Sequence, residues 1–490
     1  MRTRRDFLKE SLAATAAVTA TNALVRGADD DSGGNRRRPN ILLIITDQQS
    51  GSAMSCAMGK RHIHTPAMDS LAESGTRFSR AYASNPLCMP SRNSIFTGRY
   101  PHETKVTHNA RAKIDTKDFV YMGTYLKRAG YETAYFGKWH LTVHTKDKAA
   151  HGFATFGEAR PGGKNDAKTA AAAAKWLAGK HDKPFLAVVS FLSPHDVCQL
   201  ARGERLPCGA IGNPPSPDQC PPAPANLAPP TDETQTMTVM RKGYHASRMF
   251  PVGGFTADKW RQFRWGYYRI VEKVDSRIGE VLAALKRAGL EEDTIVIFTS
   301  DHGDCAGAHR WNQKTVFYDE SACVPLIIRC KGKTGGVVRH ELINTGVDIL
   351  PTMLDFAGIP KPDKLTGLSL KGLALGSRPN QWRDHLVVQN DMVQAGAIDG
   401  FTPTCQGRMV RTDHYKYCIY DKGDRREGLF DMRADPLEAV NLADAPAHRQ
   451  TVLDYRKILT DFAARFNDAA AVRMLADDVP ARPFHGKSSV

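Results

Sequence analysis

No internal stretch of this 490-residue chain approaches the ~20 consecutive apolar residues that a membrane helix needs, so no spanning segment is expected. A fixed-period repeat is also missing. So are zinc-finger spacings and basic stripes interleaved with aromatics, and nucleic acid is therefore not the expected partner despite a formal net charge of +15. The first 38 residues carry eight Lys/Arg against five Asp/Glu, which leaves about +12 on the rest. A surface that basic attracts polyanions, and an acidic polysaccharide is the alternative to nucleic acid. With 41% hydrophobic and 24% charged residues the composition is that of an ordinary soluble globular protein, long enough to bury at least one large core.

The N-terminus has Thr3-Arg4-Arg5-Asp6-Phe7-Leu8-Lys9 ahead of a mildly apolar, Ala/Thr-rich run from Ser11 to Val25. Paired arginines before such a run resemble a twin-arginine export signal over residues 1–28, with a linker at 29–38. The resemblance implies a periplasmic or extracellular protein. Export permits disulfides, and of the ten cysteines Cys208 and Cys220 form the best local pair, although spacing leaves the connectivity open. Folding in the cytoplasm before export argues against obligatory disulfides.

Four short apolar runs read as buried strands, and each ends in polar residues. Asn40–Thr46 leads into Asp47-Gln48. Thr133–Phe136 leads into Gly137-Lys138-Trp139-His140. Phe185–Leu192 leads into Ser193-Pro194-His195-Asp196, and Thr294–Thr299 into Ser300-Asp301-His302-Gly303-Asp304. Between them lie helical patterns, Met122 to Ala129 and a long one from Ala257 to Ala288. The stripe Trp260, Phe263, Tyr267, Ile270, Val274, Ile278, Val281 and Leu285 reads as core packing. Alternating strands and helices predict an α/β fold with a mostly parallel sheet flanked by helices, whose ligands bind at the carboxyl ends of the strands. Ten of the 28 prolines fall between Leu206 and Pro251, which reads as a long irregular insertion able to line a pocket. A catalytic domain is expected over 39–382. From 383 to 490 the runs Gly407–Arg411 and Tyr415–Tyr420 and a helix near Ala447 to Phe466 predict a smaller subdomain of antiparallel strands plus helix.

The most informative segment is Cys88-Met89-Pro90-Ser91-Arg92, followed by Thr97-Gly98-Arg99. Pro90 suits the first turn of a helix and so puts Cys88 at its N-terminus, where N–H groups and the dipole favour an anion. Arg92 adds a planar charged fork suited to a tetrahedral oxyanion. This is a nucleophile in an anion site. Asp47, Gln48, Asp301 and His302 offer three oxygen donors and one nitrogen from two strand ends, a candidate metal set. Oxygen donors suit Ca²⁺ first, or Mg²⁺, and the histidine admits Mn²⁺.

Cys-x-Pro-Ser-Arg followed by Thr-Gly-Arg resembles the signature of the formylglycine-dependent sulfatases, in the alkaline-phosphatase-like superfamily. In that family the cysteine is oxidised to Cα-formylglycine by a formylglycine-generating enzyme. The resemblance runs from about Pro39 to Ala443. It implies one divalent cation held by Asp47, Gln48, Cys88 (as formylglycine), Asp301 and His302. Gln48 and His302 depart from the Asp-Asp and Asp-Asn common among sulfatases, and resemble the part of the family near choline sulfatases and phosphonate monoester hydrolases. Gly137-Lys138-Trp139-His140 resembles the segment whose Lys and His reach the nucleophile and the sulfate. Ser193-Pro194-His195 and Gln313-Lys314-Thr315 resemble two further sulfate-binding segments.

The implied reaction is hydrolysis of a sulfate ester. One hydroxyl of the hydrated aldehyde attacks sulfur, and His140 deprotonates the second so that sulfate leaves. Arg92, Lys138 and Lys314 neutralise charge, and His195 or Lys314 protonates the departing alcohol. A sulfated carbohydrate is the expected substrate. Two other readings stand beside it: a phosphonate or phosphate ester hydrolase on the same site, and a non-catalytic binder of sulfated glycan.

Overall fold

The computed structural model describes residues 38–109, 114–160, 165–377, 379, 381–476 and 483–484. The export signal, and all of the linker but Arg38, lie outside the described residues.

The strands in chain order are β1 (Asn40–Asp47), β2 (Thr76–Phe78), β3 (Ala81–Tyr82), β4 (Glu132–Lys138), β5 (Thr155–Arg160), β6 (Phe185–Pro194), β7 (Thr294–Ser300), β8 (Leu326–Cys330), β9 (Val337–Arg339) and β10 (Ile343–Asn344). Eight of them form one sheet in the order β5-β4-β6-β1-β7-β8-β2-β9, and β10 pairs with β3. From β5 to β7 every pairing is parallel, and β8 turns antiparallel to β7. This is the expected mixed, mostly parallel α/β sheet.

The apolar runs are continuous because the central strands are covered on both faces. In β1 all eight residues are buried. Ile41, Leu43 and Ile45 point into one core, whereas Leu42 and Ile44 point into the other. Each such fully buried side chain contributes about 1.5–3 kcal/mol. The helix Ala257–Arg287 lays Trp260, Phe263, Tyr267, Ile270, Val274 and Ile278 on the second core, so the apolar stripe is packing, as expected. On the opposite face, Ile95 and Phe96 of the helix Cys88–Thr97 join the first core with Ile349, Leu350 and Met353 of the helix Thr345–Phe356.

The C-terminal strands β11 (His385–Met392), β12 (Cys405–Thr412), β13 (Tyr415–Tyr420) and β14 (Glu427–Asp431) form an antiparallel sheet in sequential order. The helix Arg449–Phe466 packs Val452, Tyr455, Leu459 and Phe462 on it.

Two expectations need correction. The stretch from Leu206 to Pro251 is not wholly irregular, because Gln235–Ala246 is a helix capped by the Thr234 hydroxyl. It buries Met237, Met240 and Tyr244 at helical spacing, a pattern that the density of prolines around it conceals. And Cys208 and Cys220 are not bridged; all ten cysteines are free thiols.

Candidate active site

Because β4, β6, β1 and β7 are adjacent and parallel, their polar ends fall on one edge of the sheet. The helix beginning at Cys88 aims its N-terminus at that edge. Its first residue follows Leu87 in extended conformation, and Gly98 at φ 67° ends it. All residues of this helix but Met89 are buried.

The Cys88 thiol is 3.1 Å from His302 Nε2, 3.2 Å from Lys314 Nζ and 3.9 Å from Asp47 Oδ1. Arg92, fully buried, donates from Nε to Asp301 Oδ2 at 2.8 Å and lies 3.5 Å from Asp47 Oδ2. Its remaining N–H groups reach Ser190 Oγ at 2.9 Å and the Lys138 carbonyl at 3.2 Å. Lys138 Nζ pairs with Asp47. Lys314 Nζ donates to Gln48 Oε1 at 2.7 Å, and the Gln48 backbone N–H to Asp301 Oδ1 at 3.2 Å. These groups come from β1, β4, β6 and β7 and the residues just after them, from the Cys88 helix, and from the segment between β7 and β8 that carries Lys314, and sequence separations reach 266 residues.

The electrostatics follow from burial among mixed charges. Burial alone would raise the Cys88 thiol, as would Asp47, but Lys138, Lys314 and His302 pull it well below the usual range. Asp47 is likewise held low by Lys138, His195, Lys314 and His302 against its burial. Asp301 goes the other way: burial and the nearby Asp47 carboxylate push it up to about 7. Burial, then Lys314, pushes His195 down to about 3, and burial lowers His140, whose ring meets Cys88. Gln48, His140, Gln313 and Thr315 all hold positive φ, at 71°, 43°, 76° and 79°. Four non-glycine residues in that sparsely allowed region, clustered around one site, mark stored backbone strain.

The donor set fits a divalent cation. Ligand atoms of Asp47, Cys88, Asp301 and His302 all lie within 4.8 Å of one another, and all four residues are buried. His302 Nδ1 is 2.9 Å from the Gly303 carbonyl, an acceptor, so Nδ1 carries a proton and Nε2 is the nitrogen that faces the cluster. Arg92 already lies between the two carboxylates, so the fit to a cation rests on the donor atoms themselves.

The ten site residues read from the sequence thus gather in one place, nine of them linked by direct contacts, His140 through Cys88, and His195 by its charge coupling to the cluster. Three were missed. Ser190 is an inward-facing residue of β6 with the sequence context of core. Cys198 places its thiol 3.6 Å from Gln48 Oε1. Asp304, buried and pushed up to about 6 by that burial, accepts from Gln48 Nε2 at 2.7 Å. Its signal was its place in the polar run after β7.

A mixed, mostly parallel sheet that gathers this charge pattern around a thiol at the start of a helix has the architecture of the alkaline-phosphatase-like class. The comparisons with known proteins narrow it. The sulfatase family model matches residues 39–359, and the model for the C-terminal part of N-sulphoglucosamine sulphohydrolase matches 307–465. The chain belongs to the sulfatase family and is a sulfuric ester hydrolase. It is 29% identical over 425 residues to a Δ4,5-hexuronate-2-O-sulfatase of Bacteroides thetaiotaomicron, covering 84% of this chain and 86% of the relative. It is 30% identical over 483 residues to an ulvan-active sulfatase of Formosa agariphila, covering 90% and 82%. Among solved structures, a 2-O GAG sulfatase superposes with a TM-score of 0.76 at 26% identity, over 92% of this chain and 98% of that one. A phosphonate monoester hydrolase of Agrobacterium radiobacter shares the fold, with a TM-score of 0.70 at 23% identity over 88% of this chain and 96% of that one.

Proposed function

We propose that this enzyme removes sulfate from a sulfated carbohydrate, with residue 88 matured to formylglycine as the nucleophile and one divalent cation in the site. The carrying observation is the Cys88 side chain, first in its helix, facing Asp47, His302 and Lys314 at 3.1–3.9 Å. The hydrated aldehyde supplies the hydroxyl that attacks sulfur. The cation would be held by Asp47, Gln48, Asp301 and His302 with residue 88, and when bound it neutralises charge on the sulfate oxygens.

The rest of the chemistry belongs to side chains. Arg92 is locked by Asp301 and Ser190, so it presents fixed positive charge under residue 88 without reorganising during turnover. Lys138 and Lys314 flank it and hold the sulfate oxygens. His140, kept unprotonated by burial, takes the proton whose removal releases sulfate. Lys314 or His195 delivers a proton to the departing alkoxide; of the two, Lys314 holds its proton in the free enzyme, kept charged by Cys88 against its burial, whereas burial leaves His195 neutral.

The choice of substrate rests on the relatives, whose names specify a hexuronate 2-O-sulfate and ulvan, and on the net charge of +15, which suits an anionic carbohydrate. We further assign residues 1–28 to twin-arginine export and maturation to a formylglycine-generating enzyme. Among the described residues no helix is long and apolar enough to cross a membrane.

The test is turnover of a panel of sulfated mono- and oligosaccharides beside a matched phosphonate monoester. Sulfate release from at least one sugar, well above phosphonate cleavage, is expected. Faster cleavage of the phosphonate would transfer the site to the rival ester class. Absence of turnover by aldehyde-bearing protein on every member would remove the carbohydrate assignment.

A further inference from the structure

Asp304 lies three residues past Asp301 and is 1% exposed. Its Oδ2 accepts from Gln48 Nε2 at 2.7 Å and from the Gln313 backbone N–H at 3.0 Å; its Oδ1 accepts from the Ala306 N–H at 2.7 Å. On the other side of the same amide, Gln48 Oε1 accepts from Lys314 Nζ at 2.7 Å. An ammonium only donates, so the Gln48 atom that faces Lys314 is the oxygen, and the amino end must find an acceptor behind it. Asp304 is that acceptor. With the amide reversed, an NH₂ group would face both the Lys314 ammonium and the cation cluster, and the buried Asp304 carboxylate would lose a donor. A glutamine side chain has no intrinsic preference between the two orientations. The choice is therefore made by Lys314 and the Cys198 thiol, which donate to the oxygen, and by Asp304, which pulls on the amino end.

We propose that Asp304 is a positioning residue for the cation: it locks the Gln48 amide with its oxygen turned to the site. Through the Gln313 N–H it also fixes the segment that carries Lys314. Asp304 touches neither substrate nor the reacting atoms, and acts only through Gln48 and this segment. The inference rests on the cation site proposed above.

The test exchanges the two functional groups. Gln48→Glu with Asp304→Asn moves the carboxylate and the amide to each other's position with no change in length or total charge. Ca²⁺ and Mn²⁺ binding to metal-stripped protein is measured by titration calorimetry, with thermal unfolding of each stripped variant as the folding control. Wild type that binds neither ion would show that the cation reading itself is wrong.

Given binding, Asp304→Asn alone should weaken it at least about tenfold, the range found when a metal ligand loses its orienting partner. Gln48→Glu alone sets two buried carboxylates face to face and should also lose affinity. The exchanged pair should bind about tenfold better than the product of the two single losses predicts. Recovery is incomplete because the amide at position 304 meets the Gln313 N–H with one acceptor fewer. A second arm uses Gln48→Ala, in which there is no amide to orient: adding Asp304→Asn should then cost far less affinity than it does in the wild type, leaving only the effect of the Gln313 contact. Losses that simply multiply in the exchanged pair, or an undiminished effect of Asp304→Asn in the Gln48→Ala background, would overturn the proposal and leave the cation site standing. So would wild-type affinity in Asp304→Asn.

Discussion

Replacing Arg92 with methionine keeps most of the aliphatic stem but deletes a guanidinium that is wholly buried between two carboxylates. Lys138 still pairs with Asp47, so the group left exposed to the loss is Asp301, whose 2.8 Å partner disappears. The Ser190 hydroxyl and the Lys138 carbonyl lose donors as well. Breaking a buried pair by removing one member costs about 3–5 kcal/mol, because the remaining charge is stranded. The cost depends on pH. The Asp301 carboxyl already sits near 7 in the intact protein, and removal of Arg92 moves it further up. A carboxyl raised in the folded state contributes stability below its unfolded pKa and loses it as pH rises through the folded value. The variant should therefore fall further below wild type at pH 8 than at pH 5, where the loss is confined to the two pH-independent hydrogen bonds. The assay is denaturant unfolding of chelator-treated wild type and Arg92→Met at both pH values. Saturating cation should then stabilise both proteins, by about 2.7 kcal/mol at a hundredfold excess over Kd. A difference below about 1 kcal/mol at pH 8, or one equally large at pH 5, would refute the view that Arg92 balances the buried carboxylates.

Three further outcomes are expected. Loss of the general acid should slow alkyl sulfates by much of the roughly 10²- to 10⁴-fold range of acid catalysis and nitrophenyl sulfates far less; if His195→Ala and Lys314→Ala both keep the wild-type dependence of kcat/KM on leaving-group pKa, neither is the acid. Asp275, which accepts from the Met68 and Ala67 N–H groups and is pushed up to about 6 by burial, destabilises the fold as pH rises from 4 to 7. Asp275→Asn should flatten that slope, by at most about 3 kcal/mol over the interval, and parallel slopes in the two proteins would exclude the assignment. Changing Arg4 and Arg5 to lysine should retain the protein in the cytoplasm, whereas unchanged export from a host without the twin-arginine pathway would contradict the signal.

How far the fold could be read depended on how each element is buried. Asn40–Thr46 and Thr294–Thr299 are covered on both faces, so they write uninterrupted apolar runs whose polar ends mark the carboxyl edge. The long helix announced itself because thirteen of its residues are buried at helical spacing. Short pieces gave no such signal: Thr76–Phe78 is three residues long and joins the sheet only through β8 and β9, far away in sequence. The helix Gln235–Ala246 has a readable stripe of Met237, Met240 and Tyr244, but it lies inside a Pro-rich region that argued against any regular element.

The site followed the same division. Cys88, Arg92, Asp47 and Asp301 sit in local patterns that carry their own chemistry. Ser190 and Asp304 matter only through what folding places beside them, a guanidinium 98 residues away and an amide 256 residues away. No local spacing encodes such contacts. The free Cys208 and Cys220 make the converse point, since nearness in the chain did not produce a bond.

The central claim is that residue 88 acts as formylglycine, and mass spectrometry of the peptide spanning Cys88 to Arg99, taken from catalytically active enzyme, tests it most directly. The peptide should carry an aldehyde in place of the thiol, in a fraction that tracks specific sulfatase activity across preparations made with and without a formylglycine-generating enzyme. Full sulfatase activity from protein whose Cys88 is entirely unmodified thiol would contradict the account.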